Sequence, residues 1–189
     1  MNMRVSDEGQ KPALKDYIKT AAVILAFVVF SIAVIALLSG KPKEPKTTAQ
    51  MYDVLNEYGF KSADLTQDAK EKFTGLVVNE VVYYVKDDMT FEYYILGDAN
   101  EAISLYGTIN FNISKIERDK RNNEKYVLRA GDGKRANITC TSLTTDELFY
   151  YICRIGNSVL YVKCNPDSKN DAYKIINELG YNMDRKESK

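Results

Sequence analysis

No histidine occurs among the 189 residues, and this limits the available chemistry first. Ser-His-Asp and Cys-His nucleophile systems are excluded, as are His-ligated metals. Three cysteines remain, Cys140, Cys153 and Cys164. An odd count in an exported domain leaves at least one thiol unpaired within a monomer. All three fall on the apolar side of strands described below, where Cys acts as a small hydrophobe. That reading outweighs a three-thiolate metal site. Gly131-Asp-Gly-Lys134 contains the Gly-Lys pair of a phosphate loop. Leu128 stands where that loop needs its first Gly, however, and Arg135 where it needs Ser or Thr, so the segment reads as a hairpin turn. Asp87-Asp88 lacks the Asp-x-Asp-x-Asp-Gly frame of a calcium loop and reads as a solvated turn. No catalytic residue, metal ligand or cofactor is implied.

Charge is segregated along the chain. Lys61 to Glu101 holds nine acids and four bases, net −5. Lys115 to Arg135 holds eight bases and four acids, net +4. Those bases are Lys115, Arg118, Lys120, Arg121, Lys125, Arg129, Lys134 and Arg135. They read as a patch for an anionic envelope polymer or lipid head groups. Glu117, Asp119, Glu124 and Asp132 interleave with them, so an ordinary solvated surface competes with that reading. Head-to-tail pairing with the acidic segment is another outlet for the same charge. Across the whole chain 26 bases balance 26 acids, which argues against a nucleic-acid partner held by bulk charge.

Apolar residues make up 45% and charged residues 28% of the chain, an ordinary globular balance. Lys outnumbers Arg, and Asn, Ile and Tyr are abundant, as in proteins of AT-rich bacterial genomes. In that setting the patterns Asn112-Ile-Ser114 and Asn137-Ile-Thr139 carry no weight as glycosylation acceptors.

Ala21 to Leu38 is apolar at every position but Ser31. As a helix it is about 27 Å long, close to the ~30 Å hydrocarbon core. A cleaved signal peptide is the competing reading. The apolar run exceeds the usual ~7–15-residue core of such peptides, and neither an A-x-A site nor a lipoprotein Cys follows it. Arg4, Lys11, Lys15 and Lys19 precede the span; Lys41, Lys43 and Lys46 follow it. With the N-terminal amine, the balance tips toward an N-inside signal anchor. Residues 1–20 are then a short cytoplasmic N-terminus, 21–38 a transmembrane helix and 39–46 a linker. Residues 47–183 form an extracytoplasmic domain and 184–189 a disordered tail. Lys41-Pro-Lys-Glu-Pro-Lys46 favours extended chain that packs on nothing and lifts the domain off the bilayer.

Within the domain, Thr47 to Phe60 reads as a helix. Thr47 and Gln50 have capping-box spacing, and Gly59-Phe60 supplies the left-handed stop. A helical turn is expected around Asp68–Phe73. Leu76–Val85 and Thr90–Leu96 form a hairpin over Asp87-Asp88. Asp98 then caps a helix with Glu101 at its third position. The reach of that helix is ambiguous. Ala102, Tyr106, Ile109, Ile113 and Ile116 step as a helix, while Ile109, Phe111 and Ile113 alternate with polar residues as a strand does. Tyr126 to Asn165 reads as β, with strands at Asn137–Ser142, Leu148–Ile155 and Ser158–Cys164. Gly156-Asn157 is the tight turn between the last two. Pairing residue 155 with 158 puts Phe149, Tyr151, Cys153, Ile155, Leu160, Val162 and Cys164 on one face. Tyr150, Arg154, Tyr161 and Lys163 fall on the other. Tyr83, Tyr84, Tyr93, Tyr94, Tyr150, Tyr151 and Tyr161 cannot all be core on that pattern. They read either as ordinary strand formers or as an exposed aromatic platform. A last helix follows Pro166, capped by Ser168 and Asp171 and closed by Gly180-Tyr181.

Several of these pieces occur in a characteristic order. Thr48-Ala-Gln-Met-Tyr52 leads to Gly59-Phe60. Phe91-Glu-Tyr-Tyr-Ile95 precedes Asp98 to Ala102. The hairpin Tyr150 to Tyr161 follows, and a helix ends at Leu179-Gly-Tyr181. Over about residues 47–182 this resembles small, uncharacterised membrane-anchored extracytoplasmic proteins of low-GC Gram-positive bacteria. The resemblance implies one long helix over Ala99–Asp119. It implies no activity and no site residues. The cysteines and the long Tyr126–Thr141 stretch depart from the pattern.

The expected fold is therefore α+β: an anchor helix, then an antiparallel sheet with its helices on one face. A membrane-tethered binding or interaction domain of the cell envelope is the favoured function. A sensor or assembly subunit of a membrane complex comes second, and an enzyme last.

Overall fold

The computed structural model describes residues 23–32, 34, 43–119, 127–132 and 137–182, the backbone alone being described over 127–132. The expected cytoplasmic segment, the tail and part of the expected span lie outside these residues. The chain forms two compact units, Met1–Gly40 and Lys41–Lys189. In the first, residues 23–32 are helical (α1). Val23, Ile24, Leu25, Phe27, Val28, Val29, Phe30 and Ile32 are all exposed there. Among the described residues no helix is long and apolar enough to cross a membrane.

The second unit is α+β. Helix α2 (Thr48–Glu57) leads to strand β1 (Lys61–Asp64) and helix α3 (Thr66–Lys72). Strands β2 (Val78–Lys86) and β3 (Met89–Leu96) precede the long helix α4 (Ala99–Asp119). Strands β4 (Val127–Asp132), β5 (Ile138–Thr144), β6 (Phe149–Ile155) and β7 (Ser158–Cys164) follow, then helix α5 (Lys169–Glu178). The seven strands form one sheet in the order β1-β2-β3-β7-β6-β5-β4, antiparallel throughout. A hairpin thus leads into α4, which carries the chain to the far edge. A meander then returns to close on β3 through β7.

Residue chemistry accounts for the ends of these elements. Thr47 and Gln50 cap α2 reciprocally. Gly59 at φ 80° lets Gly59 and Phe60 donate back to Asn56 and Leu55. Gly180 at φ 75° does the same for α5, where Gly180 and Tyr181 donate to Asn177 and Ile176. Both stops are Schellman turns that send an aromatic ring into the core. The start of α5 differs from expectation. Ser168 makes no capping bond. Its hydroxyl instead donates to Asp88 Oδ1 at 3.0 Å, and Asn165 N–H donates to Asp88 Oδ2 at 2.8 Å. Asp88 is therefore a tie between the β2–β3 turn and the β7–α5 junction, not a solvated turn residue. Strand β1, short and fully exposed, was not anticipated, because Lys61-Ser-Ala-Asp64 carries no apolar alternation.

The sheet is covered on both faces, which corrects the expectation of helices on one face. Tyr93, Phe91, Cys153, Leu160 and Val162 meet Met51 and Leu55 of α2 and Ile175, Ile176 and Leu179 of α5. On the other side Tyr94, Leu96, Tyr150, Ile152 and Val159 meet Ala69 of α3 and Ala102, Leu105 and Ile113 of α4. Strand β6 is buried at all seven positions. The face bearing Tyr150 and Arg154 is thus a second core. The tyrosines do not form an exposed platform: Tyr84, Tyr93, Tyr94, Tyr150 and Tyr151 are buried, and Tyr83 and Tyr161 half-buried. A Tyr ring buries as well as Phe when its hydroxyl is placed.

The extended residues before α2 also differ from the expected free spacer. Lys43 N–H donates to Asn137 Oδ1 at 3.1 Å, and Asn137 Nδ2 donates to Lys43 O at 2.5 Å. Lys43 Nζ donates to the backbone and side-chain oxygens of Asn182, each at 3.3 Å. Pro45 lies against Gly156, and Tyr93 OH donates to Lys46 O. Residues 43–46 form a strap on the domain: Asn137 and Tyr93 bond its backbone, Asn182 holds the Lys43 ammonium, and Pro45 rests on Gly156. Asn137→Ala removes both bonds to Lys43. It should lower unfolding free energy by about 1 kcal/mol, the usual net worth of such bonds. In a chain lacking residues 1–46 the same substitution should have no effect. Urea unfolding of the four proteins checks this coupling. Equal losses with and without the strap would show that it does not dock.

Candidate interaction surface

Helix α4 carries the best-defined exposed feature of the domain. Its start is fixed by Asp98, whose Oδ1 accepts from Asn100 N and Glu101 N at 2.7 and 2.9 Å. The Glu101 carboxylate accepts from Asp98 N at 3.2 Å and from Val77 N at 2.9 Å, joining the helix start to the entry of β2. The inner face is settled by Ala102, Leu105 and Ile113, with Tyr106, Ile109 and Ile116 packed beside them. Tyr106 OH lies 2.6 Å from Thr141 Oγ1 of β5. The helix thereby crosses β3, β7, β6 and β5.

That inner stripe leaves Ile103, Gly107 and Phe111 on the opposite side, one turn apart. Ile103 is 51% and Phe111 53% exposed. A Cβ built at Gly107 meets no atom within 4 Å. Lys115 Nζ lies 4.9 Å and the Arg118 guanidinium 5.7 Å from the Phe111 ring centre. Two cations over one exposed ring form a compact amphipathic site. Bases in the last turns also suit the negative end of the helix dipole.

Of the eight bases read from the sequence, the structure brings Lys115 and Arg118 together. Arg129 lies in the edge strand β4, opposite Ser142 of β5. Lys120, Arg121, Lys125, Lys134 and Arg135 lie outside the described residues, as does the Gly133 turn. Phe111 was the part missed. Its alternation with Ile109 and Ile113 was visible, but only a helix turns it away from both.

The cysteines are structural. Cys140 and Cys153 stand directly opposite on β5 and β6 and form a disulfide. Cys164 is a buried free thiol, and burial pushes it up to about 12. Among the described residues no group of His, Cys, Asp or Glu is arranged to hold a metal. Asp88 is raised by burial but lowered more by its bonds from Asn165 and Ser168, and ends below the usual carboxylate range. Arg154, 8% exposed, donates to Gly156 O and Thr139 Oγ1 at 3.4 and 3.3 Å.

No known family model matches the chain, and no curated protein does. Among solved structures it is similar to the extracellular domain of PknH from Mycobacterium tuberculosis. The identity is 9% and the TM-score 0.33, over 75% of this chain and 99% of that one. A likeness at that score carries no argument about function.

Two outcomes are expected. A thiol reagent at pH 8 should leave Cys164 unmodified in the native protein and label it fully after unfolding. Its elevated pKa and burial leave almost no accessible thiolate. Rapid native labelling would contradict both. Gly107→Ala should raise unfolding free energy by about 0.5–1 kcal/mol, since the added methyl enters open space in a helix interior. Destabilisation would mean that Gly107 is needed inside the monomer.

Proposed function

We propose that this chain is a membrane-tethered extracytoplasmic interaction domain of the bacterial cell envelope. The exposed Phe111–Lys115–Arg118 cluster carries this reading, because it joins apolar and cationic groups on a helix face the core does not use. Its partners are anionic: envelope polymer or lipid head groups. The wider set Lys120, Arg121, Lys125, Arg129, Lys134 and Arg135 adds charge of the same sign along the following sequence. The tether is Ala21–Leu38, supported by its length, its apolarity and the exposed apolar side chains of α1. Export of the C-terminal domain is supported by the Cys140–Cys153 disulfide, since such bonds persist in oxidising compartments.

A sensor or assembly subunit is the second reading, and the docked strap favours it. Lys43 is already bound to Asn137 and Asn182, five residues after Leu38. Little sequence is left between tether and domain to act as a loose spacer.

The test is co-sedimentation of the domain, residues 43–183, with anionic and neutral vesicles and with wall material. Binding should need anionic partners at low salt and weaken strongly between 0.15 M and 1 M salt, as the Debye length falls from about 8 Å to about 3 Å. Lys115→Gln with Arg118→Gln should cost about 2 kcal/mol, roughly thirtyfold, at about 1 kcal/mol per base near an anionic surface. Equal binding to neutral vesicles, or no loss in the double variant, would remove the anionic-partner reading.

A further inference from the structure

We infer that the carboxylate of Glu92 and the tyrosines around it form a binding site for a small organic ammonium group. The inference is independent of the anionic-partner reading, since it uses a different charge and no part of the outer face of α4. Sheet register places the residues. Glu92 of β3 stands directly opposite Tyr83 of β2 and directly opposite Tyr161 of β7. Directly opposed residues of antiparallel strands project to the same face, with Cβ atoms about 4.5–5.5 Å apart. Tyr94, two residues along β3, projects to that face as well, and its hydroxyl donates to the Glu92 carboxylate. Tyrosines on three adjacent strands therefore surround one carboxylate.

The chemistry of the group selects the ligand. Glu92, Tyr83 and Tyr161 are half-buried, and Tyr94 is buried. A carboxylate drawn partly out of water is costly unless a cation meets it. No lysine or arginine among the described residues pairs with Glu92, whose bond comes from Tyr94. Lys163, diagonal to it on β7 and opposite Thr90, is exposed. Lys72 sits over the ring of Phe73, 5.4 Å from its centre, and Phe73 stands edge-on to Tyr94 at 6.3 Å. Burial first, and then the Glu92 charge, push the Tyr94 and Tyr161 hydroxyls above their ordinary range. Both stay neutral, so Glu92 carries the charge of the group. One negative charge set among aromatic rings attracts a cation with apolar flanks, through the carboxylate and through the ring quadrupoles. A methylated ammonium satisfies both. A calcium ion would need six or more oxygen ligands, which one carboxylate and its tyrosines do not supply.

The experiment uses the full chain in maltoside micelles, whose head groups carry no ammonium, with the tyrosine rings labelled for NMR. Choline should move the ring signals of Tyr83 and Tyr161 saturably. The neutral alcohol in which carbon replaces the choline nitrogen should not, and neither should sodium at the same ionic strength. Glu92→Gln keeps the size of the side chain and an acceptor for Tyr94. It should weaken choline binding about tenfold or more, the usual worth of a bond to a charged group. Tyr83→Leu removes a ring from a half-buried position and should weaken binding too. Tyr161→Phe keeps its ring and should bind as the parent chain does. The signal of the buried Tyr181 reports that each variant is folded. Three results would overturn the proposal. They are Tyr83 and Tyr161 signals unmoved by choline, equal movement with the alcohol or sodium, and parent affinity in folded Glu92→Gln or Tyr83→Leu.

Discussion

The buried hydroxyl junction around Tyr181 is the interaction on which the domain's layout depends. Tyr181 OH lies 2.9 Å from Tyr93 OH and 2.6 Å from Ser158 Oγ, and Ser158 Oγ donates to Ile155 O. The Tyr181 carbonyl accepts from Tyr151 OH at 2.8 Å, and Tyr93 OH donates to the strap at Lys46. Three strands, the end of α5 and the extended residues before α2 therefore meet at one point. Burial pushes the Tyr181 and Tyr151 hydroxyls far above their ordinary range, so both stay neutral donors. An unpaired hydroxyl in that place would be costly, and a paired one fixes geometry. Gly180 makes the junction possible, since only a left-handed residue turns the next ring inward at that distance from the helix.

The same economy explains why the sheet has two cores. Seven strands of antiparallel sheet with one wet face would need polar residues alternating along the central strands. The strands β3, β7 and β6 instead carry rings and branched side chains on both sides. One side closes under α2 and α5. The other closes under α3 and α4, and Arg154 is the only charge among the buried residues on these strands. The alternation in Leu148–Cys164 was read with the right register, since residue 155 does pair with 158. What misled was treating Tyr and Arg as markers of solvent, whereas Lys163 on the same face is exposed as its type suggests. Tyr161 and Tyr150 show that the ring counts as core once α4 lies over it. Sequence pattern reports side-chain period, and it does not report what covers each face.

Helix starts and stops were legible wherever a local hydrogen bond made them. Thr47 with Gln50, Asp98 with Glu101, Gly59-Phe60 and Gly180-Tyr181 are all short-range devices. Long-range partners were not legible. Ser168 had the right type and place for a cap, but Asp88, 80 residues earlier, claims its hydroxyl. Asn137 looked like the start of a strand and is also the clamp on Lys43, 94 residues before it. For the surface, residue types suggested a basic patch, and the fold gathers Lys115 and Arg118 over Phe111. The exposed ring was hidden by its place in an alternating run.

The disulfide lies in the core under α2 and α5, where Tyr173 of α5 packs on Phe149 and Tyr151 of β6 and its hydroxyl donates to Ser142 of β5. On that face α2 packs on β2, and α5 on β7. Strands β5 and β6 hold the Cys140–Cys153 link, with Ile138 and Ile155 beside it in the same core. Adjacent strands already share backbone hydrogen bonds, so the link adds little to their register. Its contribution is to the unfolded chain, where closing a loop of thirteen residues' separation removes about 3 kcal/mol of conformational freedom. The meander pairs with β3 only through β7, whose residues 158–163 follow their partners by more than 60 positions, so that contact is non-local. The Cys140–Cys153 bond joins β5 to β6 in the outer half of that meander, where the loop it closes is short and local.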